Sequence, residues 1–272
     1  GVVADSDPRA EAAEAAAKAA PLLAAIGATL APPRRRPRCA PAPLRLAPRP
    51  VPRPDPAAGV FETVLARDGE PVRLDDHLDR LARSVEALYG VAAPLQEASR
   101  LVERAAARAG DGRVRLDARP RAEGIVVEAR SGPLPEPAAA IELVPLCVPG
   151  GLGPHKWADR RLLEALGEAA RARGGAEVVP LLVDLDGLVL EASRANVAIV
   201  EDGELVTPPL DGRILPGVGR AALGAREEEI DLDRLDRADG VLLVSALRGV
   251  QVVRGAQELI AATISSGASS WT

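Results

Sequence analysis

Of the 34 lysine and arginine side chains in this sequence, only two are lysines, Lys18 and Lys156. The distinction matters for chemistry. Arginine stays protonated and does not condense with an aldehyde under ordinary conditions, whereas a lysine amine can be tuned by burial and neighbouring charge until it does. Lys156 stands in the run His155-Lys156-Trp157-Ala158-Asp159-Arg160, and two further segments are hard to explain as scaffold: Glu191-Ala192-Ser193-Arg194-Ala195-Asn196 and Leu215-Pro216-Gly217-Val218-Gly219-Arg220. Glu191 offers a carboxylate at the end of an apolar strand. A glycine-rich turn opening a helix presents free backbone N–H groups and a favourable dipole to an anion such as phosphate.

The elements that must position these groups follow from periodicity and punctuation. Gly59 to Leu65 reads as a strand, Arg67-Asp68-Gly69-Glu70 as a turn and Val72-Arg73-Leu74 as the returning strand of a hairpin. Asp75 or Asp76 is then expected to cap a helix in which Leu78, Leu81, Val85 and Leu88 recur at helical spacing, ending at Gly90. A second helix is expected from Leu95 to Ala109, with strands around Val114, at Ile125 to Val127 and at Ile141 to Val148. Pro149 to Pro154 reads as a boundary, after which a helix is predicted to carry Trp157 to Ala172. Short strands with Asp-Gly turns at Asp186-Gly187 and Asp202-Gly203, a helix beginning near Pro216, and strands at Val241 to Ser245 and Val250 to Val253 complete a mixed α/β pattern. The expected organisation is residues 57–148 as a small subdomain, 149–264 as a larger one and 265–272 as a frayed tail. Ahead of them, Gly1 to Ala4 reads as a short strand and an Ala-rich helix capped at Asp5-Ser6-Asp7-Pro8 runs to Ile26, followed by a Pro/Arg-rich linker at 31–56 that cannot order itself.

Composition narrows the classes. A hydrophobic content of 47% with 27% charged residues is that of an ordinary globular chain, and no uncharged apolar run is long enough to span a bilayer. Aromatics make up only 1%, so the core must rest on Leu, Val, Ile and Ala, and Phe61 and Trp157 inside motifs are informative. A net charge of -5 argues against a nucleic-acid surface, and the arginines at 34–53 are interleaved with prolines as in a solvated linker. Cys39 and Cys147 lack metal-ligand spacing and read as free thiols, so no metal site is expected. No signal peptide is visible, and a cytoplasmic location is the expectation.

With Phe61-Glu62-Thr63 and His77-Leu78-Asp79-Arg80-Leu81 added, the order and spacing of these segments resemble the signature of the class IV aminotransferases. These are pyridoxal-phosphate enzymes that include branched-chain and D-amino-acid aminotransferases and aminodeoxychorismate lyase. The resemblance runs from Val60 to Val253. It implies a two-subdomain mixed α/β fold, pyridoxal 5'-phosphate as cofactor, and a homodimer. It implies Lys156 as the residue that bonds the cofactor and then moves protons. Glu191 would face the pyridine nitrogen and keep it protonated, which makes the ring an electron sink. Arg80 and the backbone at Gly217, Val218 and Gly219 would hold the phosphate, and Ser193 and Asn196 would orient the ring or the phosphate loop. Gly219 stands where the family usually has Thr, which removes one hydroxyl contact.

Within that family the chain is most similar to aminodeoxychorismate lyase as the second half of a fused synthase and lyase. The first 30 residues resemble the end of a chorismate-binding synthase domain, with Glu14 and Lys18 at the places of its metal-binding glutamate and active-site lysine; without the rest of that domain they are expected to be a remnant. Ser245-Ala246-Leu247-Arg248-Gly249-Val250 is similar to an Asn-Ser-Val-Arg-Gly segment of the fusion proteins, from which Ser245 and Ala246 depart. The implied reaction converts 4-amino-4-deoxychorismate to 4-aminobenzoate and pyruvate, a step toward folate. Thr63, Arg160 and Arg248 are the candidates for its substrate, and a separate synthase or glutamine amidotransferase subunit is a candidate partner. A branched-chain or D-amino-acid aminotransferase, or a non-catalytic partner of a synthase, are the alternatives.

Overall fold

The computed structural model describes residues 17–18, 52–136, 141–173 and 178–255. Of the unit Gly1–Arg36, only Ala17 and Lys18, both helical, are among them. The expected N-terminal strand, the linker up to residue 51 and the tail at 265–272 lie outside the described residues.

Four strands, β1 (Val60–Arg67), β2 (Glu70–Pro71), β3 (Gly112–Arg121) and β4 (Gly124–Gly132), form an antiparallel sheet in the order β2-β1-β3-β4. Helices α1 (Leu74–Tyr89) and α2 (Leu95–Ala109) cover one of its faces. Strand alternation sends Val60, Val64 and Ala66 to that face, where they pack with Leu81, Val85, Val102 and Ala106. Glu62 shares their parity and is therefore delivered into the helix-covered layer. Phe61 and Thr63 take the opposite face, directly across from Asp117 and Arg115 of β3. Helix α2 has the predicted limits, because Pro94 precedes it and Gly110, at φ 61°, stops it.

The hairpin is shorter than the sequence suggests. Its second strand is only Glu70–Pro71, and Val72 to Leu74 are not strand, because Arg73 turns into the left-handed region (φ 55°) and α1 starts at Leu74. Asp75 and Asp76 accordingly occupy the first turn, where their charge suits the helix dipole, rather than the cap.

The remaining strands build two smaller sheets. β5 (Glu142–Cys147), β6 (Val178–Val183) and β7 (Val189–Ala192) form one, with β5 parallel to β6. β8 (Asn196–Glu201), β9 (Glu204–Thr207), β10 (Arg226–Glu227), β11 (Gly240–Ser245) and β12 (Gly249–Gly255) form the other, in the order β10-β9-β8-β11-β12. β5 thus pairs with a strand beyond the Pro149 to Pro154 stretch, and Ala192 bridges to Ala195 where β7 gives way to β8. Helix α3 (Arg161–Arg171) packs Leu162 and Leu166 onto Leu146 and Leu182. It begins four residues later than predicted. Residues 156–158 are instead held along the free edge of β1, with Phe61 N–H donating to Lys156 O at 2.9 Å, Ala158 N–H to Gly59 O at 3.0 Å, and Val60 bridging Trp157. Asp159 then accepts from the Arg161 N–H at 3.1 Å to start the helix. α4 (Val218–Ala221) is a single turn, and α5 (Leu232–Arg237) is capped by Asp231 accepting from Arg234 N–H. Among the described residues no helix is long and apolar enough to cross a membrane.

Candidate active site

Glu62 organises the floor of the site. Its carboxylate is 1% exposed and accepts from Arg80 Nε at 2.8 Å and Nη2 at 2.6 Å, with His77 Nδ1 at 2.8 Å on the same carboxylate. Burial by itself would raise the Glu62 pKa, but the Arg80 guanidinium and the His77 ring hold it far below the carboxylate range. His77 is in turn pushed down by burial, and its Nε2 is buried without a partner among the described residues. Arg80 reaches on with Nη1 to Pro216 O at 2.9 Å, and Arg73 Nη1 to Val218 O at 3.1 Å. The first sheet and its helix are thereby tied to the glycine turn that precedes α4. Arg80 keeps two N–H groups beyond these three bonds.

Lys156 is fixed by the backbone clip onto β1, and its Nζ lies 5.0 Å from the centre of the Phe61 ring. Burial pushes its pKa from 10.5 down to about 7; Glu62 opposes the fall, while Arg80, Arg160 and Arg115 deepen it. A large fraction of the amine is therefore neutral, and nucleophilic, at neutral pH. Glu191 is delivered by β7, is 6% exposed, and receives one hydrogen bond among the described residues, from Leu215 N–H at 3.3 Å. Burial raises its pKa to about 8 against that hydrogen bond and the fields of Arg160 and Arg80. Arg80 and Arg160 act electrostatically on both Lys156 and Glu191, so the amine and the acid lie within the field of the same two cations.

Asn196 and Gly217 form a matched pair. Asn196 Nδ2 donates to Leu215 O at 2.9 Å, and a Cβ on Gly217 would lie 1.8 Å from Asn196 Oδ1, so no other residue fits there without displacing the amide. Asn196 therefore shapes the loop. The turn α4 is only four residues long and its dipole is small, but the N–H groups of Val218 and Gly219 have no partner within it. Arg220 faces away from them, donating to Pro208 O and pairing with Glu227, each at 2.9 Å. Ser193 is half-buried at the turn after β7, its N–H on Pro180 O.

The family model for class IV amino-transferases matches residues 59–256. The chain belongs to the class IV aminotransferase family. A bifunctional aminodeoxychorismate lyase / D-amino acid transaminase of Mycobacterium tuberculosis (strain ATCC 25618 / H37Rv) is 32% identical over 229 residues, 70% of this chain and 78% of that protein. The PLP-bound form of a hypothetical aminotransferase from Mycobacterium tuberculosis superposes with a TM-score of 0.64 at 26% identity, over 84% of this chain and 95% of its own. The 4-amino-4-deoxychorismate lyase of Pseudomonas aeruginosa shares the fold, with a TM-score of 0.61 at 23% identity, over 84% of this chain and 89% of its own.

In this class IV chain the residues singled out from sequence fall into two groups. Lys156, Glu191, Arg80, Arg160 and the turn at Gly217, Val218 and Gly219 are brought together. Thr63 lies beside Phe61 on the far face of β1. Arg248 instead donates Nη2 to Glu136 O at 2.7 Å, and its N–H to Ser245 Oγ. One cation was overlooked: Arg115, whose guanidinium carbon stacks 3.7 Å above the Phe61 ring centre, with that of Arg160 at 5.6 Å. Burial, with Arg194 and Arg115 nearby, pulls the Arg160 pKa down to about 10. The position of Arg115 directly opposite Thr63 is the available signal, hidden among many strand arginines.

Proposed function

We propose that this chain is a pyridoxal-phosphate-dependent lyase that converts 4-amino-4-deoxychorismate to 4-aminobenzoate and pyruvate. The residues present fit that cofactor. Lys156 is an amine of lowered pKa suited to an aldehyde, and Glu191 is a buried acid with an oxygen to spare for a basic ring nitrogen. Arg80 and the N–H groups of Val218 and Gly219 can hold a phosphate, with Asn196 and Gly217 setting their loop. When bound, the cofactor supplies an aldehyde carbon and an electron-withdrawing ring. Lys156 would hold it through Nζ and, as a free amine, would take the C4 proton of the substrate. Loss of that proton with cleavage of the C3–O bond leaves an aromatic ring, and the departing enolpyruvate gains a proton to become pyruvate.

The observation that carries the reading is the ring of cations about Phe61. Arg115, Lys156 and Arg160 all lie over the Phe61 ring, 3.7, 5.0 and 5.6 Å from its centre, which suits a substrate bearing two carboxylates. The bifunctional relative supports a second reading, D-amino-acid transamination, which would use the same lysine, acid and phosphate loop. Purified protein is first scanned for a visible band that borohydride fixes covalently at Lys156. It is then given aminodeoxychorismate and, separately, D-alanine or a branched-chain amino acid with 2-oxoglutarate. Formation of 4-aminobenzoate and pyruvate in the first supports the lyase. An oxo acid from the second with no 4-aminobenzoate from the first overturns it, and a colourless protein after incubation with pyridoxal phosphate overturns both.

A further inference from the structure

The face of the first sheet away from α1 and α2 carries a buried acid that the chemistry above does not use. Asp117 is 1% exposed at the middle of β3, directly across from Phe61. Its Oδ1 accepts from Arg115 Nε at 2.9 Å and Nη2 at 2.7 Å, and its Oδ2 from Arg130 Nη2 at 2.7 Å; Arg119 Nη2 is 4.0 Å away. Burial alone would raise its pKa, but Arg115 and Arg130 keep it ionised. Arg115 and Arg130 sit directly opposite each other across β3 and β4, where two like charges repel. Asp117 removes that repulsion and clamps the edge of the Arg115 guanidinium bidentately, with the guanidinium carbon 3.7 Å from the centre of the Phe61 ring. Arg115 Nη1 makes no hydrogen bond among the described residues. The same guanidinium shares the Phe61 ring with the Lys156 amine, 3.7 and 5.0 Å from its centre, and acts electrostatically on both Lys156 and Arg160.

We propose that Asp117 is a positioning residue: it presents Arg115, held over Phe61 and with Nη1 free, to a second carboxylate of the substrate, and so sets the preference of the site for dianions. This rests on the lyase reading for the identity of the substrate, but not for the clamp. Asp117 touches no reacting atom and acts only through Arg115.

The test compares glutarate, a dianion, with pentanoate, a monoanion of the same length, by calorimetry on the cofactor-loaded protein. Wild type is expected to bind glutarate at least tenfold tighter. D117N should weaken glutarate about tenfold and pentanoate less than twofold, and should cost nothing further in an R115A background. Unchanged glutarate binding, equal losses for both anions, or an undiminished loss in the R115A background overturns the proposal. Should D117N melt far below wild type, R115K asks the same question with Asp117 and Arg130 still paired. Lysine keeps the charge but cannot clamp Asp117 while lying on Phe61, so the dianion preference should again fall about tenfold; a retained preference overturns the proposal. If the preference is lost in these variants of a protein that proves to be a transaminase, the clamp stands and the lyase reading falls. A lyase whose D117N variant keeps the wild-type KM for aminodeoxychorismate shows the reverse.

Discussion

Replacing Lys156 with Met should make the cofactor-free protein more stable, by an amount that depends on pH in a defined way. The Lys156 amine titrates at about 7 in the folded chain against an ordinary 10.5. Between those values the unfolded chain binds a proton that the folded chain lacks, so wild-type stability rises with pH across that window. Below about 7 both states are protonated and the penalty on the folded state is complete; above about 10.5 it is gone. At 1.36 kcal/mol per pH unit the penalty near pH 7 is about 4 kcal/mol, or about 2 M in urea midpoint at an m-value of about 2 kcal/mol/M. Methionine is unbranched and of similar length, and Glu62 keeps its bidentate Arg80 in the variant. Any difference in packing adds a constant offset and leaves the slope untouched. Urea unfolding of cofactor-free wild type and K156M at pH 7, 8, 9 and 10 reads the difference directly. It should shrink steadily and approach its offset near pH 10. A difference that is the same at every pH would refute the reasoning, and with it the buried, lowered amine on which the nucleophile depends.

Glu191→Gln should remove the opposite slope: the Glu191 pKa of about 8 means that this acid makes wild-type stability fall as pH rises from 4.5 to 8, and the difference between wild type and variant in urea unfolding should change with pH across that window. The same variant should still bind cofactor, but with turnover lower by about 100-fold, the scale of a lost acid or electrostatic contribution. Glu62→Gln should keep one acceptor oxygen but remove the charge that pairs the buried Arg80 and set an NH2 donor against one of its partners, and cost about 3 to 5 kcal/mol in thermal or urea unfolding. Gly217→Ala should drive a methyl into Asn196 Oδ1, cost about 1 to 3 kcal/mol as overpacking does, and weaken cofactor retention in an absorbance titration; adding Asn196→Gly should restore part of the loss.

Much of the site was readable before any coordinates because its chemistry needs rare residue types. Lys156 is conspicuous in a chain of arginines, and Gly217 is required by space rather than by a turn. Helix α2 was bounded by Pro94 and Gly110, local signals that tertiary contacts did not override. Where prediction failed, the deciding contact was distant in sequence. Residues 156–158 have helical neighbours on their C-terminal side, yet the free edge of β1, nearly a hundred residues away, claims their backbone. Val72 to Leu74 look like strand until Arg73 adopts a left-handed turn. Asp117 and Arg115 lie in a strand rich in arginine, and only the register against Phe61 and Thr63 separates them from solvated charge.

The clip that holds Lys156 on β1 is made by Phe61 N–H to the Lys156 carbonyl, Ala158 N–H to the Gly59 carbonyl, and the pairing of Val60 with Trp157, all of it main chain. None of these bonds reads the identity of the side chain at 156. A single codon change there can therefore remove the chemistry proposed for Lys156 while the fold persists and even hardens. Among descendants of such a chain, conserved architecture around position 156 is no record of retained catalysis; only the amine itself is.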